Sequence, residues 1–365
     1  MKILYAINSL SGGGGEVFTA QLACAMARRP GNEVHFVTYA GILDEKGQSL
    51  KQELDKAGVI YHSANIRNNF LKFYLPFYYA RILTLVKPNV VHSNLDQTDF
   101  FLSLGKKLTP HKNIRFVRTL HSIINAEKTF SRRAMKWLFS QFDSNIGCSD
   151  FVKSHYVYPD MREFIIPINN GIELKKGALP NSLRKELGIG EKELVFLQIG
   201  SLQKRFGKLP KAHDIVFKAF KELPDLKCKI LFLGDNSNIK NDYPAGLYDD
   251  PRFLFLGQKT DVYPYIGTAD ILLAPSRFEG LPISTIEAVC QGLPLLCSDI
   301  EGFSSFRGDS TVICKAGDTE DLKEKIAYCG DNIDTLKENG RKNTARFREM
   351  FDMENVLEKY LIYYR

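Results

Sequence analysis

Two carboxylates, Glu279 and Glu287, stand in the segment Pro275-Ser276-Arg277-Phe278-Glu279-Gly280-Leu281-Pro282-Ile283-Ser284-Thr285-Ile286-Glu287-Ala288. The apolar run Ile271-Leu272-Leu273-Ala274 reads as a strand ending just before it. Pro282 suits the first turn of a helix, where its missing N–H would be unpaired in any case. The amides of Ile283 and Ser284 are then free to meet an anion. Glu279 falls in the loop and Glu287 inside the helix, so the two address different parts of one elongated ligand. Carboxylates accept hydrogen bonds from hydroxyls, and this offset suits a sugar at one end and a ribose at the other. Taken alone, such a pair reads more plainly as a loop acid and a solvated helix residue.

A second chemical feature is Ser9-Leu10-Ser11-Gly12-Gly13-Gly14-Gly15-Glu16, which follows the apolar Ile3–Ile7 and opens a helix. Gly14 and Gly15 would present backbone N–H groups and the positive helix end to a ligand. A dinucleotide fold also starts on a glycine-rich turn. Here the third glycine of G-x-G-x-x-G would fall at Val17 or Phe18, and Thr38-Tyr39-Ala40-Gly41 offers no acid for a ribose, which argues against a dehydrogenase. A tight turn without a ligand is the plainer alternative. His121, in Arg118-Thr119-Leu120-His121-Ser122, and His92, in Val90-Val91-His92-Ser93-Asn94, each end an apolar run. Carboxyl ends of parallel strands are where open α/β sheets bind ligands, although a lone histidine is more often a packed structural residue.

The elements that must hold these residues follow from hydrophobic pattern. Short apolar runs alternate with segments of helical period, the signature of parallel sheets covered on both faces. Strands are expected at Ile3–Ile7, Val34–Thr38, Val90–His92, Ile114–Thr119, Ser144–Cys148 and Phe164–Ile168, and again at Leu194–Ile199, Lys229–Leu233, Phe253–Leu256, Ile271–Leu273 and Pro294–Ser298. Helices are expected at Gly15–Arg28, Ser49–Ala57, Ala212–Glu222, Pro282–Gln291, Thr319–Tyr328 and Met353–Tyr364. The fold class is therefore α/β, with two tandem doubly wound, Rossmann-like domains facing one cleft. Residues 1–172 form the first domain, 173–190 a linker and 191–348 the second. Residues 349–365 form a last helix that crosses back to the first domain.

Composition agrees. A chain of 365 residues with 44% apolar and 25% charged residues can build two cores, and excludes a collagen, a coiled coil and a disordered tail. Lys and Arg number 49 against 42 Asp and Glu, a net +7 spread along the chain that favours anionic ligands or a membrane surface. No nucleic-acid motif accompanies it, so nucleic acid is not an expected partner. The seven cysteines lie mostly in apolar runs with no C-x-x-C pair, which reads as buried, reduced thiols and neither a zinc site nor a disulfide framework. Met1–Ile7 is too short for a signal segment, and no uncharged run reaches the roughly 18 residues of a membrane span. The protein is expected in the cytoplasm, or at most on the inner face of the cytoplasmic membrane.

The setting S-R-F-E-G-L-P-x-S-x-I-E-A, with its E-x7-E spacing, resembles the nucleotide-sugar site of glycosyltransferase family 4, retaining enzymes of the GT-B fold. The likeness runs along nearly the whole chain. Ser9 to Glu16 resembles the family's G-G-A-E loop with Gly14 for Ala, and Ile166 to Glu173 resembles its P-N-G-I-D. Ile199-Gly200-Ser201-Leu202 resembles its G-R-L, and Phe255-Leu256-Gly257-Gln258 followed by Ala269-Asp270-Ile271 its F-L-G … A-D pattern. The resemblance implies a retaining, hexosyl-type transferase that uses a nucleoside diphosphate sugar without metal or other cofactor; no D-x-D segment of the metal-holding kind is found.

Its implied residues are Glu279 and His121 at the reacting sugar and Glu287 at the ribose. Gly14, Gly15, Gly280, Leu281, Ile283 and Ser284 fall along the donor, and Lys211 on the phosphates. Ser201 stands where the family has Arg, and Arg205 or Lys204 is the expected substitute. His92 is assigned to the acceptor side. The expected acceptor is a glycan or lipid-linked molecule in surface polysaccharide, lipopolysaccharide or glycolipid synthesis. Acceptor binding falls to the first domain, where Arg67 to Arg81 mixes aromatics with basic residues and suits either a lipid-linked acceptor or an anionic membrane surface. The other readings are a nucleotide-sugar epimerase, which needs acid/base carboxylates not found here, and a non-catalytic nucleotide-sugar-binding module, which Ser201 favours.

Overall fold

A computed structural model describes residues 1–121, 131–175, 183–204, 207 and 209–365. The chain divides into two compact units, Met1–Glu173 with Met350–Arg365, and Leu174–Glu349.

Unit 1 holds a parallel sheet of β1 (Lys2–Ile7), β2 (Glu33–Thr38), β3 (Ile60–Ser63), β4 (Val90–Asn94), β5 (Arg115–Leu120), β6 (Ser144–Gly147) and β7 (Ile165–Pro167), ordered β3-β2-β1-β4-β5-β6-β7. Chain order reverses between β1 and β4, the position at which a doubly wound sheet opens for a ligand. The central strands are buried on both faces, as the unbroken apolar runs require. β3 is not expected from the hydrophobic pattern, since none of its four residues is buried. Ile60 is exposed, and the strand lacks the apolar face that a central one carries.

Unit 2 repeats the plan with β8 (Leu194–Ile199), β9 (Cys228–Leu233), β10 (Phe253–Gly257), β11 (Ile271–Ala274), β12 (Leu295–Ser298) and β13 (Thr311–Cys314), ordered β10-β9-β8-β11-β12-β13. The unexpected β13 alternates buried with more exposed residues and so offers no continuous apolar run. The core of unit 2 is markedly aromatic: Phe217 and Phe220 of the helix His213–Lys221 interlock with Phe196, Phe232 and Phe253 of the sheet.

The final helix, Met353–Tyr364, returns to unit 1 and packs on the helix Gly14–Ala27 and on β5. Its entry is stitched by Ile172 N to Phe351 O (2.9 Å) and Met353 N to Ile172 O (3.0 Å). Gly171 is needed at this crossing, since a Cβ there would stand 2.9 Å from Val356 Cγ2. Among the described residues no helix is long and apolar enough to cross a membrane.

Candidate active site

In unit 2, the loops after β8 and β11 bring Lys211 and Glu279 together, with Lys211 Nζ 2.5 Å from Glu279 Oε1. Ser276 Oγ donates to the same oxygen at 2.9 Å, and the Lys211 carbonyl accepts from Gln198 Nε2 of β8 at 2.8 Å. Two glycines make room. Gly200, at φ +153°, would place a Cβ 2.7 Å from Lys211 Cε, and Gly234, at φ +151°, would place one 2.0 Å from the Gly200 carbonyl oxygen. Both backbones occupy a region open to glycine but strained for other residues. The pair is only half-buried, at 24% and 14% side-chain exposure, so ligand phosphates and hydroxyls can reach it. Gly302 lies directly under Glu279, where a Cβ would meet its carbonyl oxygen at 2.4 Å.

Arg277 ties the two loops to each other. Its guanidinium grips Asp214 with both nitrogens (2.7 and 2.8 Å) and Leu209 O (3.1 Å), while its amide donates to Pro210 O (2.8 Å). Lys211 is therefore held from both sides by a residue of the loop that carries Glu279. A bidentate Arg–carboxylate pair fixes geometry as well as charge. Sequence reasoning did not single out Arg277 or Asp214. The available signal was opposite charges at short offsets from the two candidate residues.

The helix Ile283–Val289 begins at Pro282, whose carbonyl accepts from Thr285 and Ile286. The amides of Ile283 and Ser284 precede the intrahelical ladder. Leu281 and Ile283 turn their side chains into the core, at 5% and 6% exposure, so only their backbones can touch a ligand. Ser284 and Glu287 are half-buried along one side of this helix. Burial, reinforced by the nearby Glu287 carboxylate, pushes the Tyr263 hydroxyl above its ordinary range. Ser201 and Lys204 are exposed, and Arg205 lies outside the described residues.

In unit 1, His121 stands just beyond the carboxyl end of β5, half-buried, and its Nε2 donates to Asn94 Oδ1 at 2.9 Å. That leaves Nδ1 as the acceptor nitrogen. Burial lowers its pKa to about 4, so the ring is neutral near pH 7. The glycine-rich turn faces this ring. A Cβ on Gly15 would stand 3.4 Å from the imidazole carbons, and Phe18 meets the ring edge-on at 5.8 Å. The helix Gly14–Ala27 has no side-chain cap at Gly13, so the amides of Gly14 and Gly15 begin it outside the ladder. The turn is anchored by Gly12 N to Asp44 Oδ2 at 3.1 Å.

His92 is not an acceptor-side residue. It is wholly buried, with Nδ1 on Tyr364 Oη (2.5 Å) and Nε2 on Thr119 Oγ1 (2.8 Å). Tyr360 reaches Thr119 at 3.0 Å, and Tyr364 reaches Tyr5 at 3.2 Å. His92 lies within β4 and under the final helix, so its nitrogens hold that helix in place. Burial drops its pKa to about 3.

Among the described residues no group of three or more His, Cys, Asp or Glu is placed to hold a metal ion.

Comparison with known proteins gives a consistent picture. Residues 12–176 match the model described as Glycosyltransferase Family 4, and residues 193–332 match that described as Glycosyl transferases group 1. The N-acetyl-alpha-D-glucosaminyl L-malate synthase of Bacillus anthracis is 22% identical over 96% of this chain and 94% of its own. The Escherichia coli UDP-Gal:alpha-D-GlcNAc-diphosphoundecaprenol alpha-1,3-galactosyltransferase is 31% identical over 61% of this chain and 60% of its own. The structure of Anabaena Alr3699/HepE with UDP and glucose superposes with a TM-score of 0.80 at 17% identity, covering 99% of this chain and 98% of that one.

Proposed function

Because the chain belongs to glycosyltransferase family 4 and has the GT-B fold, we propose that it transfers a sugar from a nucleoside diphosphate sugar to a glycan or lipid-linked acceptor, with retention and without a metal. The observation that carries this reading is the Lys211–Glu279 pair at the carboxyl end of the unit 2 sheet, where a cation for a phosphate and a carboxylate for sugar hydroxyls are built side by side. The names of relatives support the substrate classes: one acts on a diphosphoundecaprenol-linked acceptor, and one neighbouring structure holds UDP-glucose.

In this reading Lys211 and the first amides of the helix Ile283–Val289 meet the diphosphate, and Glu287 takes the ribose. Glu279 accepts hydrogen bonds from the donor sugar. As the C1–O bond to the diphosphate breaks, the acceptor hydroxyl bonds to C1 on the same face, and its proton passes to the departing diphosphate. Fixed cations and helix-end amides stabilise the charge that develops on the leaving group. The Gly14 and Gly15 amides take an anionic group, and neutral His121 hydrogen-bonds a hydroxyl of the reacting ligands. All seven cysteines are buried thiols, which supports a reducing, cytoplasmic setting.

Calorimetry with UDP, GDP and ADP identifies the donor base, and release of nucleoside diphosphate from a panel of donor sugars measures turnover. Activity indifferent to both Lys211→Ala and Glu279→Ala would remove the site assignment. Failure to bind any nucleotide would remove the function. The exposed Ser201, in place of the family Arg, favours one second reading, a non-catalytic binding module. Tight nucleotide binding without turnover on any acceptor would establish it.

A further inference from the structure

Unit 2 holds another cavity, at the end of its sheet opposite to the Lys211–Glu279 pair. Its volume is about 460 Å³, within the range of small-molecule sites. Ala269 and the turn Gly292-Leu293-Pro294 border it, and they stand just before β11 and β12. Glu279 lies beyond the other end of β11, whose four residues span about 13 Å. The far wall is the helix Ile333–Phe351. Gly340 lets this helix close on the turn, since a Cβ there would stand 2.2 Å from the Gly292 carbonyl oxygen. Lys337, Arg341 and Arg348, spaced by four and then seven residues, share the helix face turned to the cavity. Ile266 and Leu293, both buried, give it an apolar lining.

These cations exceed what the fold consumes. Lys337 bonds Asp270, but Asp270 already accepts from Arg184 Nη2 and from the Val195 amide, each at 2.8 Å. Arg348 donates Nε to Cys290 O (2.8 Å) and Nη2 to Lys175 O (3.3 Å), which meets the negative end of the helix Ile283–Val289. Its Nη1 makes no hydrogen bond among the described residues. Arg341 is exposed and has neither a hydrogen bond nor an ion pair among the described residues. No Asp or Glu among them lines the cavity. Guanidinium and ammonium groups converging without an acid suit a phosphate, which takes several charge-assisted hydrogen bonds at once. We propose that this cavity binds a small organic phosphate. Arg341 and Lys337, whose ammonium has donors to spare beyond the bond to Asp270, hold the phosphate. Arg348 Nη1 meets a further oxygen, and the carbon skeleton lies on Ile266 and Leu293. The site is separate from sugar transfer and is measured without any donor.

The test is calorimetric titration of the full chain with glucose 6-phosphate and, separately, with inorganic phosphate. Glucose 6-phosphate is expected to bind saturably, about tenfold more tightly than inorganic phosphate, which cannot use the apolar lining. Arg341→Glu should weaken it by about tenfold or more, and Arg341→Lys should keep most of the affinity. Tm and nucleotide affinity of both variants are expected to be unchanged, because Arg341 is exposed and remote from the donor residues. Lys211→Ala should bind glucose 6-phosphate as the wild type does. No saturable binding to the wild type, or undiminished binding to Arg341→Glu, would overturn the proposal. So would binding lost in Lys211→Ala and kept in Arg341→Glu, which would put the phosphate at the carboxyl ends of the strands. Equal affinity for the two probes would reduce the cavity to a site for an adventitious ion only and would overturn it as well.

Discussion

The two sheets share one topology yet spend the polar groups at their strand ends differently. At β8 and β11 of unit 2, Lys211 and Glu279 pair in a half-open position where a ligand can displace the bond between them. At β4 and β5 of unit 1, His92 and Thr119 are sealed under Tyr360 and Tyr364 of the final helix, whereas His121, beyond the last residue of β5, keeps partial access. A polar residue near a strand end can thus belong to a site or to a lock. What separates them is whether an element returns to cover it.

The contrast can be broken most forcefully at the open pair. Glu279→Ala or Lys211→Ala is expected to lower kcat/KM by about a hundredfold to a thousandfold, as loss of a group stabilising developing charge does, with Tm little changed. The sealed cluster should behave oppositely. His92→Ala is expected to cost about 3 kcal/mol of unit 1 stability and to leave nucleotide affinity in unit 2 intact. Trp137 is the only tryptophan and lies in unit 1, so its fluorescence reports that unfolding directly. Loss of nucleotide affinity with unchanged stability would show that His92 acts at the ligand and not as a lock.

A smaller effect should sharpen the account of the open pair. Asp214→Ala removes the partner of Arg277 and frees the Lys211 loop, and KM for the donor should rise about tenfold, the equivalent of about 1.4 kcal/mol, with a smaller change in kcat. Restoration by Asp214→Glu would mark it as a positioning residue.

Acid should loosen the locked region gradually. The His92 pKa falls to about 3 in the fold, whereas in the unfolded chain it is about 6.5. Below about pH 6.5 the unfolded state takes up a proton that the folded state refuses. Its stability contribution is therefore complete above that pH and declines by about 1.4 kcal/mol per pH unit on acidification. His121, lowered to about 4, adds to the slope in the same direction. Denaturant titrations from about pH 7 to about pH 5 should show a shallower dependence in His92→Gln; an unchanged slope would assign the acid sensitivity elsewhere. The smallest effect expected is none: excess EDTA should leave the transfer rate unaltered, and a rate restored only by added divalent ion would refute metal independence.

The elements of the fold were legible where burial is two-sided. Central strands such as Ile3–Ile7 and Leu194–Ile199 are continuous apolar runs, and nothing else buries well at that length. β3 and β13 escaped because neither is a continuous buried apolar run: no residue of Ile60–Ser63 is buried and Ile313 is exposed, whereas the edge strands β7 and β10 keep apolar runs. Lys211 and Glu279 were both visible in the sequence, but their contact was not, because it depends on loops from strands that are neighbours only in the sheet. Arg277 and Asp214 were hidden for the same reason.

By itself, then, the sequence determined the parallel α/β architecture, the presence of a helix at the chain end and the residue types that could meet a phosphate or a sugar. These follow from local periodicity and from the geometry that a glycine turn or a helix start imposes on its own backbone. The tertiary structure alone decided which polar residues stay open. His92 and His121 look alike along the chain, and a tyrosine pair more than two hundred residues away seals one of them. Burial is a property of what packs on a residue, and the packing partner is not its sequence neighbour.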